Sequence, residues 1–113
     1  MNTEKNFCCE FAKDALENIP EDNICSDVSD FFKIFGDYTR VKILFAMKEH
    51  EICVNDLSII LGMQQPAVSY QLKILKNNKL VSSRQDGKMT LYKLNDHHVF
   101  ELLETALIHL THK

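Results

Sequence analysis

Residues 54–94 read VNDLSIILGMQQPAVSYQLKILKNNKLVSSRQDGKMTLYKL, and their pattern changes from helical to extended along the chain. Asn55 or Asp56 can begin a helix, and Gly62 supplies the turn that ends it. A second helix begins near Pro66, because proline is tolerated in the first turn of a helix. The apolar residues of this second helix recur every three or four positions and leave its other face polar; they are Val68, Leu72 and Leu75.

A basic hairpin follows these two helices. Residues 80–85 and 89–94 have the composition of short strands, and Asp86 with Gly87 between them is typical of a hairpin turn. Two short helices around a glycine turn, followed by such a hairpin, predict a winged helix-turn-helix, which is a mainly α fold with a β-hairpin wing. We expect the helix-turn-helix over residues 53–77 and the wing over residues 80–94.

The amino-terminal side is predicted as an arm and a helix over residues 1–25, in which an amphipathic segment runs to Pro20. Residues 20–27 are polar and are predicted as a loop. Apolar residues at helical spacing then predict a second helix over residues 28–35, which Gly36 stops. Two helices joined by a loop therefore precede the helix-turn-helix region.

Two more helices complete the prediction. Asp37 can cap a helix that runs through Glu49, and Asn95 or Asp96 can cap the last helix, within residues 96–112. That last helix carries an apolar stripe too long for a small domain to cover alone, so we expect it to pair two subunits in a homodimer. The stripe is Val99, Leu102, Leu103, Ala106, Leu107 and Leu110.

Length and charge limit the class of protein. The 113 residues fit one domain over residues 1–113, and no run approaches the roughly 20 apolar residues of a membrane span, so we expect a soluble, cytoplasmic protein without a membrane partner. The net charge of −3 is unevenly distributed. Residues 1–36 hold three Lys against eight Asp or Glu, whereas residues 64–93 hold six Lys or Arg against one Asp. A basic face on an acidic chain is typical of a nucleic-acid-binding protein.

The polar face of the second helix and the hairpin supply the candidate contacts to double-stranded operator DNA. Glutamine can bond adenine through two hydrogen bonds, and lysine can meet phosphate or guanine. The alternative is that each of these residues is an ordinary solvated side chain. The candidates are Gln64, Gln65, Ser69, Tyr70, Gln71, Lys73, Lys76, Arg84 and Lys88.

The last helix carries a donor set that suits a transition metal. Three imidazoles and one carboxylate are ligands for tetrahedral zinc or cobalt; the candidates are Asp96, His98, His109 and His112. His98 and His109 are eleven positions apart, which is roughly 16 Å along a helix, so one chain cannot close the site. Two such helices packed antiparallel across a two-fold axis would complete it. The alternative is that these histidines are merely solvated, as we expect for His97.

Three segments resemble the ArsR/SmtB family of metal-sensing repressors, over nearly the whole chain from about Phe31 onward. They are FGDYTRVKIL (35–44), EICVNDL (51–57) and AVSYQLKIL (67–75). The resemblance implies a homodimer on a palindromic operator, with the family's last-helix zinc site at the four candidate positions. Two positions depart from the family: Tyr70 stands where many members have histidine, and Asn55 stands where cadmium- and lead-responsive members have a second cysteine.

The cysteines offer a second site and a rival hypothesis. Some members of that family use a further metal site, which the resemblance places at Cys53 and Asp56 with Cys8 or Cys9 of the other subunit. Cys25 is an outside candidate, and burial as a small apolar residue is the alternative for Cys53. Free thiols are expected in a reducing cell, so a repressor that senses oxidants through its cysteines is the competing hypothesis.

These patterns together predict a metal-responsive transcriptional repressor. We expect the apo dimer to bind operator DNA and to dissociate on binding Zn(II), with Co(II), Ni(II) or Cd(II) as other metals that such ligands accept. Neither an enzyme nor a small organic substrate is expected, because nothing in the sequence places a general base beside an open metal position.

Overall fold

The computed structural model describes residues 6–112, which form six α-helices and three short strands. The chain divides between Lys33 and Ile34 into two compact units. Residues 1–5 of the predicted N-terminal arm lie outside the described residues. No helix within residues 6–112 is both long enough and apolar enough to cross a bilayer.

The first unit contains α1 (Ala12–Asn18) and most of α2 (Asp22–Phe35). The prediction of a polar loop over residues 20–27 is wrong, because α2 already begins at Asp22. The Cys25 amide donates to the Glu21 carbonyl at 2.9 Å, and the Asp22 carboxylate lies in the first turn. Negative charge is favourable there, so the acidic residues that resembled a loop start the helix instead.

The second unit contains the remaining elements and confirms the predicted winged helix-turn-helix. Its helices and strands follow one another in the predicted order, except for an additional strand before α4. They are α3 (Tyr38–Ala46), β1 (Ile52–Cys53), α4 (Val54–Leu61), α5 (Gln65–Asn77), β2 (Val81–Asp86), β3 (Met89–Leu94) and α6 (His97–Thr111).

The wing is a three-stranded antiparallel sheet in the order β1-β3-β2. Asp86 pairs with Met89, so the hairpin turn is Gly87 and Lys88, one position later than predicted, with Gly87 at φ +64°. The additional strand β1 is two residues long, and its Cys53 pairs with Leu91 of β3. This pairing ties the wing to the chain that leads directly into α4.

The helix boundaries follow from local capping groups. The Asp37 side chain accepts from the Arg40 amide and starts α3, as predicted. Gly62 ends α4 at φ +66°, in the left-handed region that favours glycine. The third helix ends at Ala46 and not at the predicted Glu49, because the chain turns there to bring β1 beside β3.

The core of the second unit forms where the apolar faces of its helices meet the sheet. The predicted inward residues of α5 are confirmed, since Val68, Leu72 and Leu75 are fully buried. Two members of the α6 stripe, Val99 and Leu103, are also buried. Other fully buried side chains are Ile43, Leu44, Leu57 and Leu80. This core leaves the opposite face of α5 in solvent.

Candidate functional site

The outward face of α5 presents a short polar surface. Ser69, Tyr70 and Lys73 are exposed, and Tyr70 keeps 63% of its surface accessible. Ser69 and Lys73 are four residues apart and therefore lie on the same side of the helix. These residues can approach a groove of DNA without any change in the packing of the core.

The amino-terminal end of α5 is joined to α4 through amide side chains. Gln64 is the N-cap residue of α5 and is exposed. The Gln65 amide nitrogen donates to the Asn55 side-chain oxygen at 3.0 Å, and the Asn55 amide nitrogen donates to Asp56 at 3.3 Å. The two helices of the helix-turn-helix are thus connected at their first turns.

Gln71 differs from the other candidates on α5. It is half-buried, and its side-chain oxygen accepts a hydrogen bond of 2.9 Å from Arg40 Nε. The structure therefore does not bring Gln71 together with Ser69 and Lys73 on the outer face. Sequence reasoning did not find Arg40, because its partner lies 31 positions away.

The remaining basic candidates, one at the end of α5 and two in the wing, have different surroundings. Lys76 Nζ donates to the Ser83 hydroxyl at 2.7 Å, which links the end of α5 to β2. Lys88 lies exposed in the hairpin turn. Arg84 donates twice to the Glu51 carboxylate, at 2.8 Å each.

The ion pair of Arg84 with Glu51 shifts both groups towards their charged forms. The hydrogen bond from Arg84 lowers the pKa of Glu51, and the same hydrogen bond raises the pKa of Arg84. Both side chains are solvent-accessible, so water screens the attraction between them. Arg84 is therefore a cation that is held in the middle of β2 and still reached by solvent.

Asp96 begins α6 as its N-cap residue. Its carboxylate accepts from the backbone amides of His98 at 2.9 Å and Val99 at 3.4 Å, and from the Asn95 amide group at 3.2 Å. Burial raises the pKa of Asp96, but the hydrogen bonds, led by that from Asn95, outweigh it and lower the pKa overall. Asp96 Oδ1 also lies 3.3 Å from His98 Nδ1, so the cap brings these two candidate ligands together.

His109 and His112 form a second pair at the other end of α6. Both line one shallow pocket of about 420 Å³ with Thr105 and Ile108. His98 lines a separate pocket with Leu102 and the same Thr105, so His98, His109 and His112 lie on one face of α6. Within residues 6–112 no three potential ligands converge on one point of a single chain.

The donor chemistry of α6 fits a transition metal even though one chain holds only two half-sites. Imidazole nitrogen and carboxylate oxygen are ligands that zinc accepts, and all four candidates are exposed. The apolar side chains on the last turns of α6 remain uncovered in this unit: Leu107, Ile108 and Leu110 are 40%, 55% and 79% exposed.

His97 has neighbours of its own and does not share the histidine face. Its ring stacks on Phe100 with centroids 5.4 Å apart, and its Nε2 lies 3.1 Å from the Glu101 carboxylate. Lys48, which follows α3, pairs with Glu104 and lies over the Phe100 ring. These contacts fasten the first half of α6 to the end of α3.

Candidate cysteine ligands occur in each of the two compact units. Cys53 is the N-cap residue of α4, and with Asp56 it lines a cleft of about 360 Å³ beside the wing residue Lys88. Cys8 and Cys9 belong to the first unit and are exposed. Within each unit, the described structure brings only Cys53 and Asp56 of this set together. The Cys25 thiol donates a hydrogen bond of 3.4 Å to the Pro20 carbonyl.

Comparison with known proteins gives a consistent result. Residues 37–83 match the family described as bacterial regulatory protein, arsR family. The cadmium resistance transcriptional regulatory protein CadC homolog of Staphylococcus aureus is 39% identical over 84 residues, which are 74% of this chain and 69% of that protein. The HTH-type transcriptional regulator KmtR of Mycobacterium tuberculosis is 32% identical over 90% of this chain and 78% of its own. The solution structure of apo-NmtR is 33% identical, with a TM-score of 0.73 over 85% of this chain and 82% of that chain.

Proposed function

We propose, because this chain belongs to the arsR family of bacterial regulatory proteins, that it is a cytoplasmic transcriptional repressor whose hold on operator DNA is released by a divalent transition metal. The family match and the relatives confirm the family that was predicted from the three segments between residues 35 and 75. The observation that carries the proposal is the alignment of three exposed imidazoles on one face of α6, in the same compact unit as the outward face of α5.

In this proposal α5 enters the major groove of the operator. Ser69, Tyr70 and Lys73 face the bases, and Gln64 and Gln65 approach them from the start of the helix. Phosphate groups are met by Lys76 at the end of α5 and by Arg84 and Lys88 of the wing, and these contacts supply affinity without sequence preference. The repressor acts as a homodimer on a palindromic site, and the exposed apolar end of α6 supports such an interface.

The metal is proposed to bind between two protomers. Asp96 and His98 of one protomer and His109 and His112 of its partner would hold it, giving two equivalent sites per dimer. When bound, the metal supplies a cross-link between the two α6 helices. Asp96 is kept ionised by its lowered pKa, and the imidazoles must be unprotonated, so metal affinity falls with falling pH.

Zinc is the first choice of metal because the donor set is three nitrogens and one oxygen, which zinc accepts in tetrahedral sites. Co(II), Ni(II) and Cd(II) accept the same ligands, and the relative from Staphylococcus aureus is described as a cadmium resistance regulator. A second site is proposed at Cys53 and Asp56, completed by Cys8 or Cys9 of the other subunit, and the cleft that Cys53 and Asp56 line together supports it.

The proposal is tested by operator binding with and without zinc. A duplex selected by the protein from a randomised pool serves as the operator, and fluorescence anisotropy measures its affinity. Zinc should weaken binding by the wild type about 5- to 150-fold, since a coupling of about 1–3 kcal/mol is typical between two ligands. The variant that combines His109→Ala with His112→Ala should bind the duplex with wild-type affinity, and zinc should not change that affinity. His97→Ala is the matched control, because His97 lies outside the histidine face, and it should respond as the wild type does.

A redox-sensing repressor is the alternative, and the exposure of Cys8 and Cys9 favours it. Changing all four cysteines to serine separates the two functions. A variant that keeps its response to zinc and shows none to oxidant supports the metal site on α6. Loss of the zinc response in that variant would show that the response to zinc depends on the cysteines and not on the α6 residues alone.

A further inference from the structure

Arg40, in the first turn of α3, makes three hydrogen bonds, and two of them reach other helices. Its Nε donates to Gln71 Oε1 in the middle of α5 at 2.9 Å. Its Nη1 donates to the Ile34 carbonyl in the last turn of α2 at 3.4 Å. Its backbone amide donates to the Asp37 carboxylate at 3.1 Å. One residue therefore connects the corner between α2 and α3 to α5.

Two of these bonds satisfy groups that helix geometry leaves without partners. The first amides and last carbonyls of a helix have no intrahelical bond, and the Arg40 amide and the Ile34 carbonyl are such groups. A cation near the end of a helix also meets the negative pole of its dipole. Because the guanidinium is planar with donors in fixed directions, holding Ile34 fixes the direction in which Arg40 reaches Gln71.

Gln71 is placed to receive this bond and not to face DNA. Ser69 and Lys73 share the exposed face of α5, whereas Gln71 is two residues from each and lies on a different side of the helix. Bidentate recognition of adenine requires the oxygen and the nitrogen of the amide to face the groove together. In this structure the Gln71 oxygen faces Arg40.

We infer that Arg40 is a positioning residue for DNA recognition, which sets the seating of α5 through Gln71, and that Gln71 reads no base. This inference rests on the proposed function, since it concerns how α5 is presented to an operator. It removes Gln71 from the proposed base-reading residues of α5, which leaves Gln65, Ser69, Tyr70 and Lys73. The corner between α2 and α3 then contributes to operator specificity, although it does not contact DNA itself.

The test compares variants of the full chain on two DNA duplexes: one selected by the wild type from a randomised pool, and a scrambled version of it. The measured quantity is the ratio of the two affinities. Arg40→Leu and Gln71→Leu should each lower this ratio about tenfold, the scale of one lost hydrogen bond to a charged group. The double variant should be no worse than Arg40→Leu alone, because Arg40→Leu already breaks the bond to Gln71.

Gln71→Glu distinguishes positioning from base reading. It keeps an oxygen acceptor for Arg40 but removes the amide donors that adenine recognition needs. The added negative charge lowers the affinity for both duplexes by the same factor, so the ratio of the two affinities should stay near the wild-type value. The comparison of Gln71→Glu with Gln71→Leu decides the matter even where Arg40→Leu proves poorly folded by circular dichroism, since both Gln71 variants retain Arg40.

Base reading by Gln71 would give the opposite pattern and overturn the inference. Gln71→Glu and Gln71→Leu would then both lose preference at one base pair of each half-site, while Arg40→Leu kept the wild-type ratio. A wild-type protein that enriches no sequence from the pool would instead overturn the proposed function itself, and the two failures are therefore distinguishable.

Discussion

Both helices of the helix-turn-helix end in the same backbone motif, with one residue in the left-handed region. In α4 this residue is Gly62 at φ +66°, and in α5 it is Lys79 at φ +61°. The next residue closes each helix through an amide-to-carbonyl bond spanning six residues, of 3.0 Å in α4 and 2.9 Å in α5. Lys79 is the one non-glycine residue with positive φ among residues 6–112. The end of α5 therefore carries the backbone strain of a side chain in the left-handed region, and the end of α4 does not.

We predict that Lys79→Gly raises the free energy of unfolding by about 0.5–1 kcal/mol. A side chain in the left-handed region costs roughly 1–2 kcal/mol, and the extra freedom of glycine in the unfolded chain offsets roughly 0.4–1 kcal/mol of the relief. For a chain of 113 residues the thermal midpoint should rise by about 2–5 °C.

Thermal unfolding followed by circular dichroism measures this change, at one fixed protein concentration because dimerisation would shift the midpoint. Lys79→Ala is the control, since it removes the charge and the long stem but keeps Cβ, and it should show no gain. Gly62→Ala should show the mirror effect, a loss of about 1 kcal/mol, because the added Cβ meets no atom within 4 Å and only the backbone strain changes. A Lys79→Gly protein no more stable than Lys79→Ala would refute this reasoning.

Three further predictions concern the pairs and packing of the second unit. Because Arg84 holds the pKa of Glu51 below its ordinary value of 4.5, their ion pair stabilises the fold above that pH and is lost as the pH falls through the lowered pKa. Glu51→Gln should therefore melt below the wild type at pH 7 and converge with it in acid; a difference that persists in acid would contradict the ion pair. Asp37→Ala should lose about 1 kcal/mol in urea unfolding through the missing cap, and Asp37→Asn should lose much less. Leu72→Ala should lose about 2–5 kcal/mol by leaving a cavity, whereas Ile59→Ala, at a site 71% exposed, should change stability by less than about 0.5 kcal/mol in the same assay.

The sequence was sufficient for the features that depend on neighbouring residues. Asp37 caps α3, Gly62 ends α4 and Asp96 caps α6, as their residue types and positions indicate. The inward spacing of α5 predicted its buried face, because helical periodicity is a local property. The wing was predicted to within one residue, since the turn between its strands is short.

The features that sequence reasoning missed depend on distant partners. The strand β1 is two residues long and exists only because it pairs with β3, where Ile52 lies opposite Tyr92, 40 positions further along the chain. The bonds from Arg40 to Gln71 and from Arg84 to Glu51 span 31 and 33 positions. Residue type alone placed Gln71 and Arg84 with the DNA contacts, and only the fold reveals what else they touch.

Sharing of the metal between protomers is the central claim of this account, and complementation between two variants tests it most directly. One variant combines Asp96→Ala with His98→Ala, and the other combines His109→Ala with His112→Ala. Each alone should bind no zinc on α6. Co-refolded in equal amounts, half of the dimers are mixed and each retains one intact site, so about 0.25 zinc per protomer should bind, against one in the wild type. Recovery of that zinc on mixing is the predicted result, and a mixture that binds no more zinc than its two components would contradict a site shared between protomers.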